Sequence, residues 1–171
     1  MMTFRAATIA DTEHIVALVN SAYRGDSSRA GWTTEADLLD GQRTDADEVS
    51  KLIHAADSLI LLSLEGKNII GSVHLQHENR KVYMGMLVIR PDLQGDGLGK
   101  KLMREAEITA IKMWGAGRML MYVLLPRHEL IAFYERRGYR RTGKLKAFPD
   151  EARFGLPRVA GLQMELMEKE L

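Results

Sequence analysis

The run from residue 81 to residue 90 constrains this chain more than any other. Its two alternating sets, Val82/Met84/Met86/Val88 and Tyr83/Gly85/Leu87/Ile89, are both almost wholly apolar. A half-exposed strand alternates apolar with polar, whereas a strand apolar on both sets has to be covered on both faces. The segment is therefore the central strand of a layered sheet. Pro91 ends it, since proline cannot donate to a ladder. The flanking sequence supplies the rest of the sheet. Residues 58–64 and 69–78 read as strands, joined to each other and to the central one through Glu65-Gly66-Lys67-Asn68 and Asn79-Arg80, which have the form of hairpin turns. This part is antiparallel.

The covering layers are legible from helical spacing. A short strand, 3–9, leads to a helix that starts at Asp11, carries Ile15, Leu18, Val19 and Ala22 on one face and ends at Gly25. A second helix, 45–56, has the stripe Val49, Leu52 and Ile53. After the central strand, 98–114 is a strong helix stopped by Gly115, 118–125 a buried strand, 130–137 a helix ended by Gly138, and 139–146 and 162–168 two final strands. The order predicts an α/β (α+β) fold of three layers, a mixed, mostly antiparallel sheet flanked by helices on both faces. Its 171 residues fit one domain, 1–171.

Composition removes several function classes. The chain has no cysteine, so disulfides, thiolate zinc sites and cysteine nucleophiles are excluded, and nothing points to a metal. No stretch approaches the roughly 20 apolar residues of a membrane span, and the first residues lack a signal-peptide core, which predicts a cytoplasmic protein without a membrane partner. A net charge of +1 gives no reason to expect nucleic acid. Charge is nevertheless uneven. Glu35, Asp37, Asp40, Asp45, Asp47 and Glu48 face one base, Arg43, while residues 127–146 hold seven Lys/Arg against Glu129 and Glu135. One end suits a cation and the other a phosphate, although both patterns also fit solvated faces.

The chemistry is concentrated between the central strand and the long helix, at Gln94-Gly95-Asp96-Gly97-Leu98-Gly99-Lys100. Glycines let backbone N–H groups crowd around a ligand, and a helix N-terminus adds unpaired donors and the positive end of a dipole. The loop is thus an anion site. A dinucleotide fingerprint needs glycine where this chain has Lys100. A P-loop needs glycine at Gln94 and a hydroxyl residue at Lys101.

What remains, Gln94-x-x-Gly97-x-Gly99, resembles the Gln/Arg-x-x-Gly-x-Gly/Ala pyrophosphate loop of the GNAT superfamily of acyl-CoA N-acyltransferases. The predicted element order is similar to the whole superfamily fold, so the likeness covers nearly the entire chain. A second motif, Leu130-Ile131-Ala132-Phe133-Tyr134 through Gly138-Tyr139, resembles that family's tyrosine-bearing helix and the Gly-aromatic entry to the next strand.

The resemblance implies that acetyl-CoA is the acyl donor and a small-molecule amine the acceptor. It places pantetheine along Leu87 and Val88 and the phosphates on Gln94, Gly95, Asp96, Gly97, Leu98, Gly99 and Lys100. It makes Tyr134 the general acid at the sulfur, with a backbone N–H near Leu87 stabilising the oxyanion. The family's strand glutamate has no counterpart here. His74 and Glu78, which alternate onto one face of the preceding strand with Ser72 and Gln76, are the nearest base candidates, and ordered water is the alternative. Arg127 stands where many family members have asparagine. Arg136, Arg137 and Lys101 are candidates for the nucleotide 3′-phosphate. The loop with Trp32, Glu35, Asp37 and Asp40 is a natural wall for the acceptor, its acids suited to a cationic amine, and residues 148–157 are a second irregular segment that would close the pocket. A homodimer is in keeping with the family. A second reading retains the fold as an acyl-CoA-binding sensor without transfer.

Overall fold

In the computed structural model, residues 1–152 and 154–171 are described in full. Along the chain run β1 (Met2–Ala6), α1 (Thr12–Tyr23), β2 (Leu39–Asp40), α2 (Ala46–His54), β3 (Ser58–Glu65), β4 (Asn68–Glu78), β5 (Lys81–Ile89), α3 (Leu98–Trp114), β6 (Arg118–Leu124), α4 (His128–Arg136), β7 (Arg140–Ala147), β8 (Leu156–Pro157) and β9 (Gln163–Glu170). Seven strands form one sheet in the order β1-β3-β4-β5-β6-β9-β7, and β5–β6 is its one parallel pair. The predicted mixed, mostly antiparallel sheet with its central strand is what the structure shows. The sequence does not reveal that β9 inserts between β6 and β7. That arrangement is held partly by charge, because Arg141 forks onto the buried Glu165 and Arg140 pairs with Glu168 across the β7–β9 ladder.

The helices cover both faces. On one side Ile15, Leu18, Val19 and Ala22 of α1 and Val49 of α2 pack on Ile60, Leu62 and Leu64 of β3. On the other, Leu102, Met103, Ala106 and Ala110 of α3, with Ile131 and Tyr134 of α4, pack on Val73, Leu75, Val82, Met119, Met121 and Val123.

The central strand departs from simple alternation at one point. The β4–β5 register runs His74↔Gly85 and then Ser72↔Val88, so Met86 and Leu87 together face Val73. This is a β-bulge, and Met86 takes φ 49°, a conformation that costs a side-chain-bearing residue on the order of 1 kcal/mol. The extra residue reverses the phase. Val82 and Met84 face α3, as do Leu87 and Ile89, whereas Met86 and Val88 face α1. The alternation read from sequence, with Val82, Met84, Met86 and Val88 on a single face, is corrected by the bulge.

Two irregular segments are joined. β2, inside the 26–44 loop, pairs with β8 at Leu39↔Pro157 and Asp40↔Leu156. Beside the bulge, Gly71 has no room for a side chain unless its neighbours shift. A Cβ there meets Ile89 Cδ1 at 2.6 Å, Ser63 Oγ at 2.6 Å and the Val88 carbonyl oxygen at 2.9 Å. The Gly71→Ala protein is expected to lose about 1–3 kcal/mol of stability in urea unfolding, while unchanged stability would show that the strands separate at no cost.

Candidate active site

Beyond β5 the chain makes a single turn, Pro91–Leu93, and reaches α3 through glycines in left-handed conformations, Gly95 at φ 102° and Gly97, the N-cap, at φ 76°. Among the described residues no side chain caps the helix. The first-turn N–H groups of Leu98, Gly99 and Lys100 therefore have no acceptor within the helix, and the dipole adds positive potential. A Cβ on Gly95 or Gly97 meets no atom within 4 Å, and one on Gly99 meets only Ile89, at 3.7 Å. The loop is an open cradle that no protein atom fills.

Above it lies a cleft of about 300 Å³, bounded by Gly95, Gly97, Gly99, Lys100, Trp32, Phe133, Arg136 and Arg137. Arg137 lies over the Phe133 ring at 4.4 Å, with its Nε buried and unbonded. A cradle of N–H donors beside an orphaned guanidinium donor fits a pyrophosphate.

Gln94 is placed differently from its neighbours. Its side-chain amide donates to the Ile89 carbonyl (2.9 Å) and Thr33 Oγ1 (2.8 Å) and accepts from the Thr33 N–H (3.2 Å). It ties the 26–44 loop to the end of β5. Gly31 is pressed against the same amide, since a Cβ there would overlap it. Asp96 is exposed and lies outside the cleft, Leu98 packs on the core, and the Val88 side chain is buried toward α1.

A second cleft, about 430 Å³, opens because the two central strands part. The β5–β6 pairing covers only Lys81↔Arg118, Val82↔Met119 and Tyr83↔Leu120, although β5 continues to Ile89 and β6 to Leu124. Met84 to Leu87 form one wall and Met121 to Leu124 the other, and Phe148, Pro149 and Phe154 also line it. At Gly85 a Cβ would meet nothing within 4 Å, so its missing side chain is open cleft.

Tyr23, Leu87, Leu130 and Tyr134 border both clefts and mark where they meet. Tyr23, which the sequence reading missed, donates its hydroxyl to the Leu87 carbonyl at 2.6 Å and so fixes the bulge, and burial pushes its pKa up to about 12. Tyr134 is buried, and among the described residues its hydroxyl has no hydrogen-bond partner. Burial raises its pKa, so it keeps its proton. Tyr139 is different. Its hydroxyl donates to Glu107 on α3, which makes it a structural link.

Of the two base candidates, His74 lines the second cleft and Glu78 does not. Glu78 is exposed at the β4–β5 hairpin, paired in register with Lys81. Ser58 Oγ donates to the Leu52 carbonyl (2.7 Å) and so accepts from His74 Nε2, 2.8 Å away. The imidazole proton is therefore on Nε2 and the lone pair on Nδ1.

The acids expected to attract a cationic amine are already bonded. Glu35 sits between the buried Arg24 and Arg127, pairing with Arg24 and, at 3.1 Å, with Arg127. Asp37 is exposed and paired with Arg29, and Asp40 lies 3.8 Å from Arg158. Trp32 tilts against Phe133 and walls the first cleft, leaving Glu35 alone of that group at the second. Among the described residues no group of three or more His, Asp or Glu side chains is arranged to hold a metal ion.

With this geometry in view, the comparisons with known proteins are specific. The profile of the acetyltransferase (GNAT) family matches residues 15–139, which include the glycine loop, the parted strands and Tyr134. The chain belongs to the GNAT acetyltransferase family. Its fold is similar to an IAA acetyltransferase from Bacillus cereus (17% identity, all of both chains covered, TM-score 0.67). It is also similar to spermidine N-acetyltransferase from Vibrio cholerae in complex with CoA and spermine (20%, 99% of this chain and 95% of that one, 0.69). The ribosomal-protein-S18-alanine N-acetyltransferase of Escherichia coli is a third (14%, 99% and 94%, 0.72). Among curated protein sequences none matches the chain significantly.

His74 provides the test of this geometry. Burial first, and the nearby Arg43 second, pull its pKa down to about 4. A free imidazole protonates near pH 6.5. Between these values the unfolded chain binds the extra proton and the folded one does not, so stability falls as pH drops from about 6.5 toward 4. His74→Gln should remove up to about 3 kcal/mol of that decline in unfolding measured across the window. An imidazole that titrates near 6.5 in NMR would contradict the placement.

Proposed function

We propose that the protein transfers an acetyl group from acetyl-CoA to a primary amine of a small-molecule acceptor, by direct attack in a ternary complex. One observation carries this reading. Tyr134 holds a protonated, unbonded hydroxyl where the glycine-loop cleft meets the cleft between β5 and β6. That hydroxyl reaches the clefts without an acceptor among the described residues and is available to a ligand, whereas the Tyr139 hydroxyl is taken by Glu107. The solved Vibrio cholerae relative, with CoA and spermine bound, supports a donor of this kind.

When bound, acetyl-CoA supplies an acetyl group activated as a thioester. The N–H groups of residues 95–100, with Lys100, Arg136 and Arg137, hold the phosphates. The stretch of β5 beyond Tyr83, left without a strand partner on the β6 side, offers its edge to the pantetheine amides. The Leu87 N–H, in the bulge, donates to the carbonyl oxygen as negative charge develops there. Tyr134 gives its proton to the departing sulfur. His74, which lines the cleft with its lone pair on Nδ1, accepts the amine proton, directly or through ordered water. A cleft of about 430 Å³, lined in part by Phe148 and Phe154, favours a small acceptor.

Tyr134→Phe separates the acid from the packing role. Thiol release with an accepted amine is expected to fall about 100-fold or more, while the rise in melting temperature given by acetyl-CoA stays within a degree or so of the parent's. Turnover that survives the substitution would remove Tyr134 from the chemistry. Loss of the acetyl-CoA effect would make it a binding residue instead.

A further inference from the structure

The sequence suggests a cationic acceptor, and the structure assigns the opposite electrostatics to the second cleft. Arg43, Arg127 and Lys146 line it against Glu35 and Glu48. Both carboxylates have partners, Glu35 in Arg24 and Arg127, and Glu48 in the Thr44 hydroxyl at 2.8 Å and, more loosely, Arg43 at 3.9 Å. Arg127 is spent as well, on Glu35 and the Thr33 carbonyl.

Arg43 is not. Its side chain is only 27% exposed, its nearest carboxylate oxygen is Glu48 Oε1 at 3.9 Å, and its guanidinium makes no hydrogen bond among the described residues. Arg43 thus lines the cleft with only a loose ion pair to Glu48, and its N–H donors carry no hydrogen bond among the described residues. The backbone that carries them is fixed. Asn20 on α1 accepts from the N–H groups of Arg43 (2.8 Å) and Thr44 (3.0 Å) and donates to the Thr44 carbonyl (3.0 Å). Lys146 adds a second cation, its Nζ 3.8 Å from the centre of the Tyr122 ring.

We infer that the acceptor amine carries a carboxylate, which Arg43 binds through its guanidinium fork, with Lys146 a second cation lining the same cleft, so that the substrates are small amino acids. This rests on reading the second cleft as the acceptor site. A planar fork matches a carboxylate with two parallel hydrogen bonds, a specificity that an ammonium cannot offer. A polyamine would bring more positive charge to a cleft whose unbonded side chains are already cationic. The anion also has a role in orientation, because a molecule held at Arg43 by its carboxylate has its amine end free to point toward His74 and Tyr134, which line the same cleft.

The test sets a panel of α-amino acids beside the carboxamide and the decarboxylated amine of each. The parent protein is expected to show kcat/KM higher for the acid by roughly 10- to 100-fold. In Arg43→Gln that preference falls to within about threefold, with an unchanged melting temperature and an unchanged KM for acetyl-CoA, and Arg43→Lys lies between. Equal use of amides or amines by the parent, or a preference that survives Arg43→Gln, overturns the inference. Calorimetric titration of the same compounds, with and without saturating CoA, decides the matter independently of turnover. Binding of acids but not amides supports the assignment, and binding of neither defeats it. Failure of acetyl-CoA to stabilise the protein would instead defeat the donor assignment, and the titration without CoA is unaffected by that result.

Discussion

The structure depends on the point where β5 and β6 stop pairing. Past Tyr83↔Leu120 the only parallel ladder in the seven-stranded sheet ends, although both strands continue. The bulge at Met86 and Leu87 is what makes the parting productive. It turns Leu87 toward the α3 and α4 side and Met86 toward α1, so apolar burial continues on both faces while the backbone of β5 bends away. The strain at Met86 is held by what surrounds it, including the close fit of Gly71 against Val88 and Ile89 and the Tyr23 hydroxyl on the Leu87 carbonyl. A gap in a ladder would ordinarily leave polar backbone exposed in the middle of a protein. Here that exposed edge is the feature that can receive an extended, amide-bearing ligand.

Charge organises the rest of the site. Residues 26–44 pass over both clefts, and the buried Arg24–Glu35–Arg127 cluster fixes them to α1 and to the start of α4. Burying three charges adds little to stability, since desolvation offsets most of the attraction. Its value here is positional. It holds Thr33 where Gln94 binds it, and it leaves the neighbouring Arg43 as the cation with donors to spare. The basic run from Arg127 to Lys146 likewise separates into distinct tasks. Arg140 and Arg141 bind the carboxylates of β9, Arg136 and Arg137 border the glycine-loop cleft, and Lys146 borders the other.

Much of the fold was legible because its signals are local. Both-face apolarity marked β5, helical spacing marked α1 to α4, and the glycine spacing with Tyr134 marked the family. What escaped depends on distant pairing. The bulge leaves no mark in the alternation of residues 81–90, and the insertion of β9 is a matter of which edge a late strand meets. Glu35 looks like a free acid in sequence because Arg24 and Arg127 are remote from it along the chain. Gln94 lines the glycine-loop cleft, and its side chain also bonds Thr33, 61 residues away in sequence, a pairing that no local pattern announces. Tyr23 carried no motif at all, and only the packing of α1 on β5 brings it to Leu87.

The central claim is that the parted strands and the glycine loop hold acetyl-CoA with its sulfur at Tyr134. A crystal structure of the protein with CoA tests this most directly. The account predicts phosphates on the N–H groups of residues 95–100, pantetheine along β5 beyond Tyr83, and the thiol within hydrogen-bonding reach of the Tyr134 hydroxyl. CoA seated elsewhere, or a thiol remote from Tyr134, would contradict it.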